Sequence, residues 1–114
     1  MNDDLSRSDN LCLYVLGKLL MKDKRAVAVV GTRMPSGRGK KLTQEFVKEL
    51  VKNKITIVSG LARGIDTIAH ETALKYGGRT IAVLGSGLDI IYPPENKNLA
   101  EEIIKKGALV SGFP

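Results

Sequence analysis

Four short apolar runs punctuate the chain: Ala26–Val30 (AVAVV), Ile55–Val58 (ITIV), Thr80–Leu84 (TIAVL) and Ala108–Val110 (ALV). They are rich in β-branched residues and apolar at consecutive positions, so both faces of each would be buried, as in the strands of a parallel sheet. Between them lie three segments with helical periodicity. In the first, Leu42, Phe46, Val47, Leu50 and Val51 share one face, while Lys40, Lys41, Gln44, Lys48 and Lys52 point to water. In the second, Ile65, Ile68, Ala69, Thr72, Ala73 and Tyr76 form the stripe, and Gly77-Gly78 ends it. In the third, Leu99, Ala100, Ile103 and Ile104 face inward; Glu101 with Lys105 and Glu102 with Lys106 pair four apart, and Gly107 is the stop.

The order is β-α-β-α-β-α-β. Such alternation implies right-handed crossovers and a parallel sheet of about four main strands with helices on its faces, a Rossmann-like three-layer αβα fold. The first of these strands is expected to be central. Residues 1–10 are polar and aperiodic and read as a flexible arm. Leu11–Leu16 reads as a short extended piece on the edge of the domain, which occupies residues 11–114. Nothing in the pattern supplies a helix or a further strand to cover the outer edge of Ala108–Val110. An open apolar edge invites pairing, so the domain is expected to be partial, or to need a partner such as a second copy or a missing C-terminal half.

Composition narrows the class. The chain has 114 residues, 43% hydrophobic, with formal net charge +6. That length suits one compact domain, and the apolar fraction is too high for disorder. The positive excess favours polyanionic partners, nucleic acid or an anionic surface. Cys12 is the only cysteine, which excludes an intrachain disulfide and a cysteine-based zinc site and fits a reducing cytoplasm. The acidic start Met1-Asn2-Asp3-Asp4 does not fit a secretory signal, and no run reaches the ~18 apolar residues of a membrane span, so a cytoplasmic location without membrane association is expected.

In an open parallel sheet, ligands bind where the βα loops leave the carboxyl ends of the strands. All three such loops are glycine-rich: Gly31-Thr32-Arg33-Met34-Pro35-Ser36-Gly37, Ser59-Gly60-Leu61-Ala62-Arg63-Gly64-Ile65-Asp66, and Gly85-Ser86-Gly87-Leu88-Asp89. Glycine lets the backbone approach an anion, and a helix start behind the loop offers free N–H groups. The second loop leads straight into a helix and is the best phosphate cradle. Arg33 and Arg63 would add charge-assisted contacts to phosphate, and Thr32, Ser36, Ser59 and Ser86 could donate neutral ones. Asp66 is placed to cap the helix, and Asp89 to fix the third loop.

Familiar catalytic patterns are missing. Gly37-Arg38-Gly39-Lys40-Lys41 lacks the glycine spacing and the Ser/Thr of a P-loop, and Gly85-Ser86-Gly87 does not continue as a dinucleotide fingerprint. His70 is the only histidine and reads as a packed or solvent-edge residue; it has no cysteine or second histidine near it to make a metal cluster or a nucleophile–base pair. No cofactor is expected. The pattern describes a binding site without a catalytic residue.

These loops resemble the DNA-processing protein A (DprA/Smf) family. Ala26–Ser36 (AVAVVGTRMPS) is similar to the family's first strand and its G-[ST]-R-x-x-S loop. Ile57–His70 (IVSGLARGIDTIAH) is similar to its S-G-x-A-x-G-I-D segment, and Arg79–Asn96 (RTIAVLGSGLDIIYPPEN) to its third strand and G-x-G-[LI]-D-x-x-Y-P-x-x-N. Ser111-Gly112-Phe113-Pro114 sits where the family reads S-E-x-P, with Gly112 in place of the glutamate.

The resemblance implies a Rossmann-like, non-enzymatic single-stranded-DNA binder of bacteria that protects DNA and helps load the RecA recombinase in natural transformation and recombination. It implies that Gly31, Thr32 and Arg33, with Ser36, hold the DNA backbone together with Ser59, Gly60, Leu61, Ala62, Arg63, Gly64 and Asp66; Gly85, Ser86 and Gly87 complete the expected site. Family members continue well beyond this length and often carry an N-terminal helical domain. Two rival readings stand beside it. A LOG-like phosphoribohydrolase shares the glycine loop at a helix start, but its P-G-G-x-G-T…E motif has no match in this sequence. A remnant that makes only protein contacts is motivated by the uncovered fourth strand.

Overall fold

The structure, a computed structural model, describes residues 12–113. The arm expected over residues 1–10, together with Leu11 and Pro114, lies outside the described residues. Five strands form one sheet: β1 (Tyr14–Gly17), β2 (Ala26–Ala28), β3 (Thr56–Ser59), β4 (Thr80–Leu84) and β5 (Ala108–Ser111). Three α-helices connect β2 to β5 in turn: α1 (Gly37–Lys52), α2 (Ile65–Lys75) and α3 (Lys97–Lys106). The strand order is β1-β5-β4-β3-β2. β2 to β5 run parallel, with Val27 beside Ile57, Val58 beside Ile81 and Ala82 beside Leu109. The Rossmann-like α/β class and the parallel core are as expected.

Three expectations are corrected. The outer edge of β5 is paired, because β1 lies antiparallel along it with Val15 opposite Val110. The first core strand is peripheral rather than central: β2 forms the opposite edge, and only Ala26–Ala28 of its apolar run pair in the ladder before the chain turns toward the first loop. On α1, Val47 is buried and Leu50 and Val51 pack beside it, but Leu42 and Phe46 are exposed.

Because neighbouring parallel strands follow one another in sequence, right-handed crossovers put α1, α2 and α3 side by side on one face. That layer packs on Ile57 through Val47, Ala69 and Ala73, and on Ala82, Leu84 and Leu109 through Leu61, Ala100 and Ile103. Full burial of a side chain such as Ile57, Ile103 or Leu109 contributes about 1.5–3 kcal/mol. The cluster on the other face consists of strand residues alone, Ile81, Ala108 and Val110 with Val58 beside them. Among the described residues no α-helix occupies that third layer.

Both α1 and α2 end by the same device. After α2, Gly78 N–H donates to the Ala73 carbonyl at 2.8 Å and Gly77 N–H to Leu74 at 3.1 Å, with Gly77 at φ 75°. After α1, Ile55 donates to Leu50 and Lys54 to Val51, and Lys54 takes the left-handed position at φ 64° that glycine normally fills. At the amino ends of the strands, Asp23 and Arg79 tie distant segments together. Arg79 Nε and Nη2 donate to the Asp23 carboxylate at 2.7 and 2.8 Å, Thr56 Oγ1 donates to it at 2.8 Å, and Arg79 also donates to the Lys18 and Lys106 carbonyls. The Arg79 hydrogen bonds hold the Asp23 carboxyl down at about 2.

Candidate nucleic-acid interface

The parallel strands deliver all three glycine-rich loops to one end of the sheet, and the loops interlock. Ser59, almost fully buried, donates from Oγ to the Val29 carbonyl at 2.6 Å, which fixes the start of the first loop against β3. Ile65 N–H donates to the Thr32 carbonyl at 3.1 Å, and Thr32 Oγ1 accepts from Met34 N–H at 3.1 Å. Gly64 caps α2 at φ 82°, and a Cβ there would meet the Arg33 Cα at 2.6 Å, so only glycine lets the first two loops touch. Gly31 is constrained likewise, since a Cβ would stand 2.9 Å from the Ile65 side chain.

The second loop is braced from within. Gly60 N–H donates to Asp66 Oδ2 at 3.0 Å, and Asp66 is 6% exposed. Leu61 turns back at φ 68° with its side chain wholly in the core. Its carbonyl accepts from Asn96 Nδ2 at 3.0 Å; the same amide donates to Thr67 Oγ1, which itself donates to Ala62. Ser36 caps α1 by accepting from Gly39 N–H at 3.0 Å. The third loop is held through Ser111, whose hydroxyl donates to the Ser86 carbonyl, and by a weaker contact from Ser86 Oγ to Ile90. Asp89, expected to fix that loop, is exposed and its carboxylate makes no hydrogen bond among the described residues.

A pocket of about 360 Å³ opens where the loops meet. Arg33 of the first loop, Gly60, Ala62 and Arg63 of the second, and Gly85 and Ser86 of the third line it, together with Tyr92 and Pro93. A shallower groove of about 620 Å³ continues past Arg33 and Arg63 toward Met34, Gly64 and Lys40. Of the expected residues, Ser59, Leu61 and Asp66 are buried framework. Gly31, Thr32, Ser36 and Gly87 shape the loops without lining the pocket, and the rest face it or the groove.

The two arginines stand in different states. Arg33 is exposed and has no carboxylate within 4.0 Å among the described residues. Arg63 is clasped by Glu95, with Nε–Oε2 at 2.6 Å and Nη2–Oε1 at 3.3 Å, and its Nη1 reaches the Tyr92 hydroxyl at 3.4 Å. The guanidinium also lies 5.4 Å from the Tyr92 ring centroid. These hydrogen bonds hold the Glu95 carboxyl below its ordinary range and raise Arg63 above its own. Both groups are solvent-exposed, so the clasp is exchangeable. Tyr92, Pro93 and Glu95 were not among the expected site residues. Their signal in the sequence is the Y-P-x-x-N stretch, Tyr92 to Asn96, which follows the third loop and in the structure carries the chain back over Arg63.

His70 lies outside the pocket, fully buried, with Nδ1 2.6 Å from Thr80 Oγ1. Burial lowers it to about 4.

Comparison with known proteins gives the same framework. The profile of the family described as DNA recombination-mediator protein A matches residues 4–114. Protein Smf of Synechocystis sp. is 48% identical over 106 residues, covering 90% of this chain and 27% of the relative. The DNA processing protein DprA of Streptococcus pneumoniae is 48% identical over 91 residues, covering 80% of this chain and 32% of its own length. The X-ray structure of DprA from Streptococcus pneumoniae superposes with a TM-score of 0.82 at 44% identity, over 89% of this chain and 35% of that one. DNA processing protein A from Helicobacter pylori, whose structure concerns its single-stranded DNA binding mode, gives 0.80 at 39%, over 89% and 46%. The chain thus spans between a quarter and a third of the length of these curated relatives. With a match running from residue 4 to residue 114 and a shared fold at this identity, the chain belongs to the DNA recombination-mediator protein A family.

Proposed function

We propose that this chain binds single-stranded DNA through its phosphate backbone at the pocket between the three loops. The observation that carries the reading is the convergence of those loops on one pocket lined by Arg33, which has no carboxylate within 4.0 Å among the described residues. In this reading Arg33 and Arg63 hold phosphate oxygens in charge-assisted contacts, and Gly60, Ala62, Gly64 and Gly85 let the strand approach the backbone. Thr32, Ser36, Ser86 and Gly87 shape the rim; Gly31, Ser59, Leu61 and Asp66 act from beneath by fixing the loops. Binding of this kind is sequence-tolerant and salt-sensitive.

The reading is of a binding protein rather than an enzyme. Asp66 is engaged with Gly60 and Glu95 with Arg63, and the histidine is buried away from the pocket. Family membership and the single-stranded DNA binding of the Helicobacter pylori relative support extending the proposal. The bound strand is passed to a RecA-type recombinase in the bacterial cytoplasm, during natural transformation and recombination, with a second copy or a C-terminal half of the protein as further partner.

Fluorescence anisotropy with labelled oligo-dT over a salt series tests the reading. Binding with a log–log slope of about −0.7 per phosphate neutralised is expected, and Arg33→Ala weakens it about tenfold on every base sequence alike. A folded chain whose affinity is unchanged by Arg33→Ala removes the site.

A further inference from the structure

At the pole opposite the loops, the C-termini of α1 and α2 and the turn before β2 enclose a cleft of about 430 Å³. Lys22, Lys48, Lys52 and Lys54 line it, with Tyr76 and Arg79 beside them. The Arg79 charge is neutralised by Asp23, but none of the four lysines has a carboxylate within 4.0 Å among the described residues. Lysine at a helix C-terminus is ordinarily a response to the helix dipole. Two such ends carry about −0.5 charge each, so four ammonium groups exceed what they neutralise by about three charges.

Two further features set the cleft apart from a solvated surface. Lys54 occupies a left-handed position that glycine fills at lower cost, and its side chain lines the cleft. Tyr76 is part-exposed, with Lys48 and Lys75 ammonium groups 5.1 and 5.6 Å from its ring centroid, which gathers positive charge around an aromatic ring. Helix α1 runs from the groove beside the loop pocket to the cleft. Lys40 lines the groove beside Arg33, Lys48 and Lys52 line the cleft, and Lys41, Gln44 and Glu45 lie between them on the exposed side of the same helix. From Lys40 to Lys52 the helix rises about 18 Å.

We infer that this cleft is a second binding site for the phosphate backbone of a single-stranded polynucleotide, reached from the loop pocket along the lysine stripe of α1. The inference rests on the DNA-binding reading of the loop pocket. Phosphates fit the unneutralised ammonium groups, and a base can stack at Tyr76, the combination that single-strand binders use.

The test compares short and long oligo-dT, about six and about twenty nucleotides, in anisotropy titrations over a salt series on the full chain. The long strand is expected to bind more tightly and with a steeper salt slope than the short one. Lys48→Gln/Lys52→Gln/Lys54→Gln is expected to weaken the long strand about tenfold and flatten its slope by about 2, leaving the short strand unchanged. Lys54→Gly alone is expected to raise the melting temperature, by removing the left-handed lysine, while weakening the long strand. Long-strand affinity and slope untouched by the triple substitution overturn the inference and leave the loop pocket standing, provided the short strand still depends on Arg33. Wild-type protein that binds neither strand overturns both readings. A poly-glutamate peptide held by the cleft lysines, with long-strand binding unaffected by the triple substitution, reassigns the cleft to an acidic protein segment and overturns the proposal.

Discussion

Arg33 and Arg63 flank one pocket, yet only Arg63 must give up a partner before it can hold a phosphate. In the proposed binding mode Glu95 competes with DNA for the same guanidinium. Glu95→Gln keeps the side-chain shape and removes the charge, so oligo-dT affinity at neutral pH is expected to rise a few-fold, as read by anisotropy; a fall would mean that the clasp positions Arg63 rather than occupies it. His70 makes a separate prediction. It is fully buried, its Nε2 has no hydrogen-bond partner among the described residues, and burial lowers it from 6.5 to about 4. A depressed histidine favours the fold while neutral, so this contribution is whole above pH 6.5 and declines as the pH falls toward 4, where the unfolded chain takes the proton first. Denaturant unfolding should show a loss of about 2 kcal/mol between pH 7 and pH 5 from this group. His70→Gln should remove that slope. Neither the clasp nor the burial was legible in the sequence: Arg63 and Glu95 are 32 residues apart, and a lone histidine beside an apolar stripe fits a packed or an edge position equally.

At the scale of elements, the glycines between strands and helices were legible as loop-forming, but which of them are obligatory depends on contacts between loops. Gly64 is the clearest case. Its φ of 82° and the Arg33 backbone against its Cα leave no place for a side chain. Gly64→Ala should cost about 1–3 kcal/mol in a melt and displace the first loop, so that DNA affinity falls with stability; retained affinity would place the strand away from Arg33. The helices were readable because their apolar stripes have a regular period, and their stops because Gly77-Gly78 and Gly107 announce them. The outward Leu42 and Phe46 were misread as core, since periodicity reports a face without reporting whether a strand lies beneath it. Here β2, at the sheet edge, extends only three residues under α1.

For the whole molecule, the alternation of strands and helices fixed the class, while the order of strands was beyond it. A parallel sheet read from periodicity can grow monotonically or fold back on either side of its first strand. Here it grows in one direction from β2 to β5, so that β2 ends at an edge. The remaining strand breaks that rule. β1 pairs with β5 across more than ninety residues of chain, Tyr14 opposite Ser111. Each of the parallel neighbours needs only its own crossover, so β2, β3, β4 and β5 can assemble in the sequence in which a ribosome releases them. Of these five strands β1 is therefore released first and paired only once β5 has emerged, and during that wait the partner it finds can as readily belong to a neighbouring chain.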